Sequence, residues 1–187
     1  DIDLACSLTP EASMQRLERE RIKAIPTGLK HGTLTALIED LRFEITTLRQ
    51  DVETYGRHAK VAFTDNWAED AKRRDFTINA LYLDGDGRLY APCGGLADLE
   101  AGRVRFIGDA DKRIQEDALR ILRFFRFAAQ FGKGPLDGQG LEACIRNKDM
   151  IPRLSGERLA AELFKILAAE KMLPIITVLH RNGILDK

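Results

Sequence analysis

The sequence has few cysteines and no long hydrophobic run. Only Cys6, Cys93 and Cys144 occur among 187 residues, and no two of them form a CxxC pair. Three widely spaced cysteines predict neither a disulfide framework nor a zinc site. No apolar stretch reaches the roughly 18 residues that a membrane helix requires, and no signal peptide precedes the first strand. We therefore expect a cytoplasmic protein, with an organelle matrix as an equally open alternative.

The sequence also lacks an excess of charge of either sign. Lys plus Arg and Asp plus Glu both number 29, so the formal net charge is zero. The overall charge therefore gives no indication of nucleic-acid binding, and any RNA or nucleotide site must come from local clustering of basic residues. Hydrophobic residues make up 44% of the chain, which is enough for the core of one sizeable domain or two small ones.

The first part of the chain predicts a sheet with few helices. Alternating apolar residues predict the strands, and Thr9 followed by Pro10 predicts the start of a helix. We expect Leu4 to point into a core, and Glu44 to lie on the face of its strand opposite to Phe43. The predicted elements are a strand at 1–6, a helix at 9–24, a hairpin of strands at 32–38 and 42–49, a mobile polar loop at 50–66 and a helix at 67–81.

The second part of the chain predicts mainly helices. A DGDG turn at 84–87 closes a short hairpin, and after Gly108 apolar residues recur at helical spacing. Strands followed by helices predict an α+β fold, with an α+β domain over residues 1–108 and an all-α domain over residues 109–187. The predicted helices lie at 114–131, 141–148, 155–167 and 172–181, and Gly183 is placed to end the last of them.

Asp1 and Asp3 point to the same face of the first predicted strand, because alternate residues of a strand do so. Hard divalent ions such as Mg²⁺ prefer oxygen ligands, and two ions between shared carboxylates can hold the attacking and leaving oxygens of a phosphoryl transfer. Acidic residues at this spacing are also common at solvated strand edges. The pair is therefore a candidate metal site, with a solvated edge as the alternative.

Arginines cluster in two other runs. In RRDFTINAL, Arg73 and Arg74 stand beside Asp75, and guanidinium groups match the geometry of phosphate oxygens. A salt-bridged surface turn would produce the same run. In EDALRILRFFRF, an aspartate and three arginines recur every three residues, which on one helix would form a drifting polar stripe. An amphipathic helix with an ion pair between its first Asp and Arg is the simpler interpretation.

Base chemistry suggests a more specific role for the second run. Cytosine and adenine both present an amino donor beside a ring-nitrogen acceptor, whereas uracil and guanine present a carbonyl and an N–H. An aspartate that accepts from the amino group, next to an arginine that donates to the ring nitrogen, favours C and A. Asp117 and Arg120 are candidates for this pair, and Arg123 and Arg126 remain for the triphosphate or the RNA backbone.

Seven motifs resemble, in the same order, those of the class II tRNA nucleotidyltransferases and bacterial poly(A) polymerases. They are DIDLA, GTLTALI, FEITTLRQDVETYGRHA, RRDFTINAL, GGLADL, EDALRILRFFRF and LSGERLAAEL. The resemblance covers essentially the whole chain. It implies a DNA polymerase β-like nucleotidyltransferase head followed by an all-α neck.

The resemblance also implies roles for individual residues. The implied catalytic carboxylates are Asp1, Asp3 and Glu44, of which Asp1 and Asp3 bind the Mg²⁺ ions. The implied nucleotide-binding residues are Arg74, Asp117, Arg120, Arg123 and Arg126. Within this second set, the Asp–Arg pair resembles the amino-acid template that selects C and A.

The implied activity is the addition of C and A from CTP and ATP to the 3′ end of tRNA, without a nucleic-acid template. A poly(A) polymerase and a noncatalytic RNA- or nucleotide-binding domain are the alternatives. The GGxxRD motif of the family is expected before Asp1, and body and tail helices are expected after Lys187. We therefore expect the chain to be a fragment that is inactive by itself, and its motifs indicate no oligomeric state.

Overall fold

The computed structural model describes residues 3–55 and 58–186, which form two compact units. The first, which we call the sheet unit, comprises residues 3–54 and 58–73. The second, which we call the helical unit, comprises residues 74–186 together with Tyr55. The predicted α+β fold is confirmed. In the described ranges, no helix is both long enough and apolar enough to span a bilayer.

A mixed four-stranded sheet, in the order β1–β4–β3–β2, organises the sheet unit. The parallel neighbours are β1 and β4, while β3 is antiparallel to both of its neighbours. The predicted hairpin is confirmed as β3 and β4. The bounds are β1 (Asp3–Cys6), α1 (Pro10–Arg19), β2 (Lys23–Gly28), β3 (Thr33–Ile38), β4 (Leu41–Thr47), β5 (Arg49–Tyr55), β6 (His58–Phe63) and α2 (Trp67–Lys72).

Side-chain alternation gives the four-stranded sheet an apolar face and a polar face. Leu34 and Ala36 of β3 are buried on the apolar face. Helix α1 lies on that side, since the Ser13 hydroxyl oxygen is 3.4 Å from the sulfur of Cys6 in β1. Glu44 lies on the opposite, polar face, as the alternation along β4 predicts.

Three predictions for the sheet unit are wrong. Helix α1 ends at Arg19 instead of Ala24, because Arg21 has a left-handed backbone (φ 58°) and the chain then pairs with β3 as strand β2. The segment predicted as a mobile loop contains β5 and β6, which form a two-stranded sheet. Leu4, expected in a core, keeps 41% of its surface exposed because it lies on the edge strand β1.

Helix α2 is also shorter than predicted. It begins at Trp67 and is capped by Asn66, whose side-chain oxygen accepts the amide hydrogens of Ala68 and Glu69 at 2.9 and 3.3 Å. It ends at Lys72 rather than near residue 81, because Phe76 has an extended backbone that forms a bridge with Phe106. The rest of the predicted helix is a single 3₁₀ turn at Thr77–Asn79.

A cluster of phenylalanine rings forms the core of the helical unit. The ring of Phe76 lies 4.7 Å from that of Phe106, which stacks on Phe124 at 5.6 Å, and Phe127 meets Phe76 edge-on at 5.4 Å between centroids. The surrounding elements are β7 (Tyr82–Leu83), β8 (Leu89–Tyr90), α3 (Gly95–Glu100), α4 (Ala110–Glu116), α5 (Leu119–Phe131), α6 (Gly138–Arg146), α7 (Gly156–Leu167) and α8 (Met172–Arg181). The hairpin around the DGDG turn and the bounds of α8 are confirmed.

The single helix predicted at 114–131 is wrong, because the chain breaks at Asp117. Helix α4 ends at Glu116, and Asp117 has an extended backbone (φ −153°, ψ 109°) before α5 begins at Leu119. The Asp117 carboxylate accepts the Leu119 amide hydrogen at 3.1 Å, which satisfies a free donor at the start of α5. The three arginines of the predicted stripe therefore lie on α5, and Asp117 does not.

The domain boundary predicted at Gly108 stays a prediction. The compact units divide earlier, between Arg73 and Arg74. The physical reason is that Phe76 and Phe106 are buried together in the core of the helical unit, so the segment between them belongs with the helices.

Gly95, at the start of α3, packs against the backbone of Thr77. A Cβ at Gly95 would lie 2.0 Å from the carbonyl oxygen of Thr77 and 2.6 Å from its carbon. We expect Gly95→Ala to lower the free energy of unfolding by about 1–3 kcal/mol, measured by urea denaturation, because backbone atoms cannot yield cheaply. Gly138→Ala, where a Cβ would meet nothing within 4 Å, is the control and should change stability by less than about 0.5 kcal/mol. Equal stability of the two variants would contradict the close packing.

Candidate functional site

Asp3 and Glu44 lie side by side on the polar face of the sheet unit. They are register partners on the parallel strands β1 and β4, and partners on neighbouring strands stand about 5 Å apart. Both side chains are exposed, and neither forms an ion pair with any residue in the described ranges. Two unpaired like charges at this spacing repel each other, and a cation bound between them would remove the repulsion.

A groove of about 410 Å³ crosses this polar face. All four strands contribute to its lining, which includes the two carboxylates. Next to Glu44 on β3 lies Thr35, whose hydroxyl oxygen is 3.0 Å from that of Thr27 on β2. The groove thus has hydroxyl oxygens close to the carboxylates, and Ile25, Leu37 and Arg42 complete its lining.

The donor chemistry of the groove fits a hard divalent cation. Asp3 and Glu44 supply carboxylate oxygens, the ligands that Mg²⁺ and similar ions prefer. Asp1, the other predicted metal ligand, lies outside the described residues. Within those residues, no three His, Cys, Asp or Glu side chains form a cluster that could hold a metal. The structure therefore places two of the three predicted carboxylates together.

In the helical unit, Asp117 forms a two-pronged ion pair with Arg158 of α7. The two guanidinium nitrogens Nη2 and Nη1 donate to Oδ2 and Oδ1 at 2.7 and 3.3 Å. The simple ion pair between Asp117 and Arg120 is not formed in the described structure. Arg120 instead pairs with Glu116 and donates to the carbonyl oxygen of Arg113 at 2.8 Å.

Arg158 was missed as a candidate from the sequence. Arg158 lies in the LSGERLAAEL run, which is one of the seven motifs, and this position is the sequence signal that marks it as a candidate. Local sequence patterns cannot predict this contact. Arg158 lies on α7 and Asp117 lies in the break between α4 and α5, so the two residues meet only when the helices pack.

A cavity of about 480 Å³ opens beside Asp117. Its lining includes Glu116, Asp117, Met150, Arg153, Ser155 and Arg158. The cavity therefore combines a carboxylate acceptor with guanidinium donors, which is the combination that reads the polar edge of a base. Arg120 is not among the lining residues, so the structure brings one member of the predicted base-reading pair to the cavity and not the other.

Arg123 and Arg126 of α5 each hold a buried carboxylate. The Nε of Arg123 donates to Asp75 at 2.6 Å, and the Nε of Arg126 donates to Glu162 at 2.6 Å. Both guanidinium groups lie over the ring of Phe127, at 5.3 and 3.9 Å from its centroid. The side chain of Arg123 is 31% exposed and that of Arg126 only 12%, so Arg123 is the better placed of the two to reach a ligand.

Arg74 is held within its own segment of the helical unit. Its Nη1 donates to the carbonyl oxygen of Asn79 at 3.2 Å, and its guanidinium carbon lies 5.3 Å from the centroid of the Tyr82 ring. The adjacent Asp75 accepts from the side-chain nitrogen Nδ2 of Asn79 at 2.8 Å. The turn at Thr77–Asn79 therefore orients Arg74 and Asp75.

The pKa of Asp75 predicts a pH-dependent contribution to stability. Burial acts to raise this pKa, but the Arg123 guanidinium and hydrogen bonds from Arg123, Asn79 and the Phe76 amide lower it below its usual value. A carboxyl with a depressed pKa stabilises the fold at neutral pH, and this stabilisation is lost as the pH falls from about 4 through the folded-state pKa.

We expect Asp75→Asn to be less stable than the unchanged chain at pH 7, and the difference to shrink below about pH 4. Urea denaturation at a series of pH values measures it. Asp86→Asn is the control, because the Asp86 side chain is 77% exposed and lies 4.0 Å from its only described ionic partner. A stability difference for Asp75→Asn that is independent of pH would contradict the ionised pair.

Two family profiles match the chain. The family described as Poly A polymerase head domain matches residues 1–105, and the family described as Probable RNA and SrmB- binding site of polymerase A matches residues 136–187. The CCA tRNA nucleotidyltransferase 1, mitochondrial, of Mus musculus is 44% identical over 187 residues, which are 98% of this chain and 43% of that protein.

Two solved structures share the fold. The CCA-adding enzyme of Bacillus stearothermophilus, in complex with CTP, is 32% identical with a TM-score of 0.86, over 98% of this chain and 44% of that one. A tRNA nucleotidyltransferase complexed with a primer tRNA and an incoming ATP analog is 25% identical with a TM-score of 0.76, over 98% of this chain and 52% of that one. The chain thus spans about half of these relatives or less. The resemblance of its motifs is confirmed, and the chain belongs to the family of tRNA nucleotidyltransferases and poly(A) polymerases.

Proposed function

We propose that the protein adds C and A from CTP and ATP to the 3′ end of tRNA. The observation that carries the proposal is the register pairing of Asp3 with Glu44 on the polar face of the sheet. A phosphoryl transfer between two polyanions needs charge neutralisation more than covalent chemistry, and a carboxylate pair in an open groove is suited to hold the cations that supply it. The named activities of the mouse and Bacillus stearothermophilus relatives support this choice of reaction.

Members of this family generally use divalent metal ions, and we propose Mg²⁺ held by Asp1 and Asp3, with Glu44 as the third catalytic carboxylate beside Asp3. When bound, Mg²⁺ supplies positive charge beside the attacking 3′-hydroxyl and the leaving pyrophosphate. The chain's own part is to hold Asp3 and Glu44 as register partners, where β1 and β4 orient both side chains toward the same groove.

The choice of base is proposed to depend on Asp117. Its carboxylate would accept a hydrogen bond from the amino group of cytosine or adenine, while Arg158 holds it in place through both oxygens. Oδ1 of Asp117 already accepts from Arg158 and from the Leu119 amide, whereas Oδ2 accepts only from Arg158, so the acceptor capacity left for a base is on Oδ2. The contact of Arg120 with the ring nitrogen stays a prediction, since Arg120 pairs with Glu116 and does not line the cavity beside Asp117.

The remaining arginines are proposed to bind the nucleotide to different extents. Arg74 and the partly exposed Arg123 would contact phosphate or sugar oxygens. Arg126 is largely enclosed and matched by Glu162, so its contribution would be to hold α5 against α7. This differs from the sequence-based expectation, which gave Arg123 and Arg126 the same role.

The proposed partner is the 3′ end of tRNA, in agreement with the primer tRNA bound by one solved relative. We propose a cytoplasmic location. A mitochondrial matrix is the alternative, because the mouse relative is named as mitochondrial.

Sequencing of extended 3′ ends tests the proposed reaction. The full-length gene product is incubated with Mg²⁺, all four nucleoside triphosphates and a tRNA that lacks CCA, and we expect CCA followed by termination. Asp3→Ala should lower turnover by about a thousandfold, because the metal loses a ligand. Asp86→Ala, in an exposed turn, should not change it. A long A tract would indicate a poly(A) polymerase, and RNA binding without any extension would indicate a noncatalytic domain.

Competition between nucleotides tests the role of Asp117. We expect Asp117→Ala to raise the relative incorporation of UTP and GTP by about tenfold, since a good base contact contributes about 1–3 kcal/mol of discrimination. Arg158→Ala should also raise the relative incorporation of UTP and GTP, because the Asp117 carboxylate loses the partner that fixes its orientation. Glu142→Ala, a side chain 73% exposed on α6, is the control. Unchanged discrimination in both variants would remove this pair from base selection.

A further inference from the structure

The polar face of the sheet carries a second row of charged residues, next to the carboxylates. Leu37 of β3 is the register partner of Arg42 on β4 and of Lys23 on β2, so the three side chains point to the same face. Arg42 stands two residues before Glu44, which places this row about 7 Å along the strands from the carboxylate row. Both Arg42 and Leu37 line the groove that holds Asp3 and Glu44.

The two cations of this row are exposed and have no ionic partner in the described ranges. Arg42 pairs with neither carboxylate of the groove, although Glu44 lies on the same strand face. The arginines of α5 differ in this respect, because each of them contacts a carboxylate. Arg42 and Lys23 therefore keep their hydrogen-bond donors available to a ligand, and the guanidinium fork of Arg42 matches two phosphate oxygens.

We propose that Arg42 and Lys23 bind a phosphate group of a reacting substrate beside the carboxylate pair. This rests on the proposed function, in which both substrates are polyanions that approach a face carrying two negative charges. A cation row one step along the strands would offset that repulsion and fix the position of one phosphate. The phosphate can come from the RNA strand or from the nucleoside triphosphate, since both present the same oxygens.

The opposite face of the sheet provides a matched control. Arg19 is exposed on α1, which covers the apolar face, so Arg19→Gln removes the same charge from the same unit without touching the groove. Arg42→Lys keeps the charge and loses the fork, and therefore separates a specific phosphate contact from a general field.

The test measures direct binding by the full-length gene product, so that it does not depend on catalysis. A fluorescent RNA that ends in a tRNA acceptor strand lacking CCA reports RNA affinity, and equilibrium dialysis of CTP and ATP reports nucleotide affinity. We expect the double substitution of Arg42→Gln with Lys23→Gln to weaken either the RNA affinity or the nucleotide affinity by about tenfold. Arg19→Gln should change neither affinity, and Arg42→Lys should lie between the unchanged protein and Arg42→Gln.

The two sources of phosphate give different results. If RNA is the source, its affinity falls, and the slope of log K against log salt becomes shallower by about 0.7 for each lost contact. If the triphosphate is the source, only nucleotide affinity falls. Unchanged affinities for both ligands, or an equal loss in Arg19→Gln, would overturn the proposal. An extension assay on the unchanged protein separates this failure from failure of the proposed function, which would leave that protein inactive.

Discussion

The pairing of β1 with β4 places two negative charges next to each other, and much of the sheet unit can be understood from that constraint. Like charges at partner positions on neighbouring strands destabilise a sheet. The sheet tolerates them because its other face is apolar, with Leu34 and Ala36 buried on the side covered by α1. The carboxylates stay on the exposed face, where water and a bound cation can reduce their repulsion. The unpaired carboxylates therefore destabilise the sheet when no cation lies between them.

The helical unit resolves its charges differently. Several of its arginines pair with carboxylates of other elements, as Arg123 does with Asp75 and Arg126 does with Glu162. Removing one partner of such a buried pair leaves an uncompensated charge, so the pairs specify how α5 packs against its neighbours. The break at Asp117 belongs to the same arrangement, because Arg158 holds the carboxylate that the extended backbone exposes. The carboxylate proposed for base selection is thus held by a residue of another helix.

The two units differ in the chemistry they offer to a substrate. The sheet presents unpaired charges of both signs on one open face, which suits metal ions and phosphate groups. The helices present a cavity in which a carboxylate acceptor stands among arginine donors, which suits the edge of a base. Phosphates are common to all four nucleotides and bases are not, so the two units are suited to different parts of a nucleotide.

The sequence by itself determined the α+β class, the β3–β4 hairpin, the face on which Glu44 lies and the bounds of α8, because each follows from local periodicity or a turn. Motif order also identified the family. Local patterns failed where a residue's partner is distant: α1 stops early because β2 pairs with β3, and the long helix breaks at Asp117, whose partner Arg158 is far along the chain. Periodicity cannot report such contacts. Only the tertiary structure decided that Asp117 pairs with Arg158 rather than Arg120, and that Arg42 and Lys23 share a row beside the carboxylates, because register and helix packing bring those residues together.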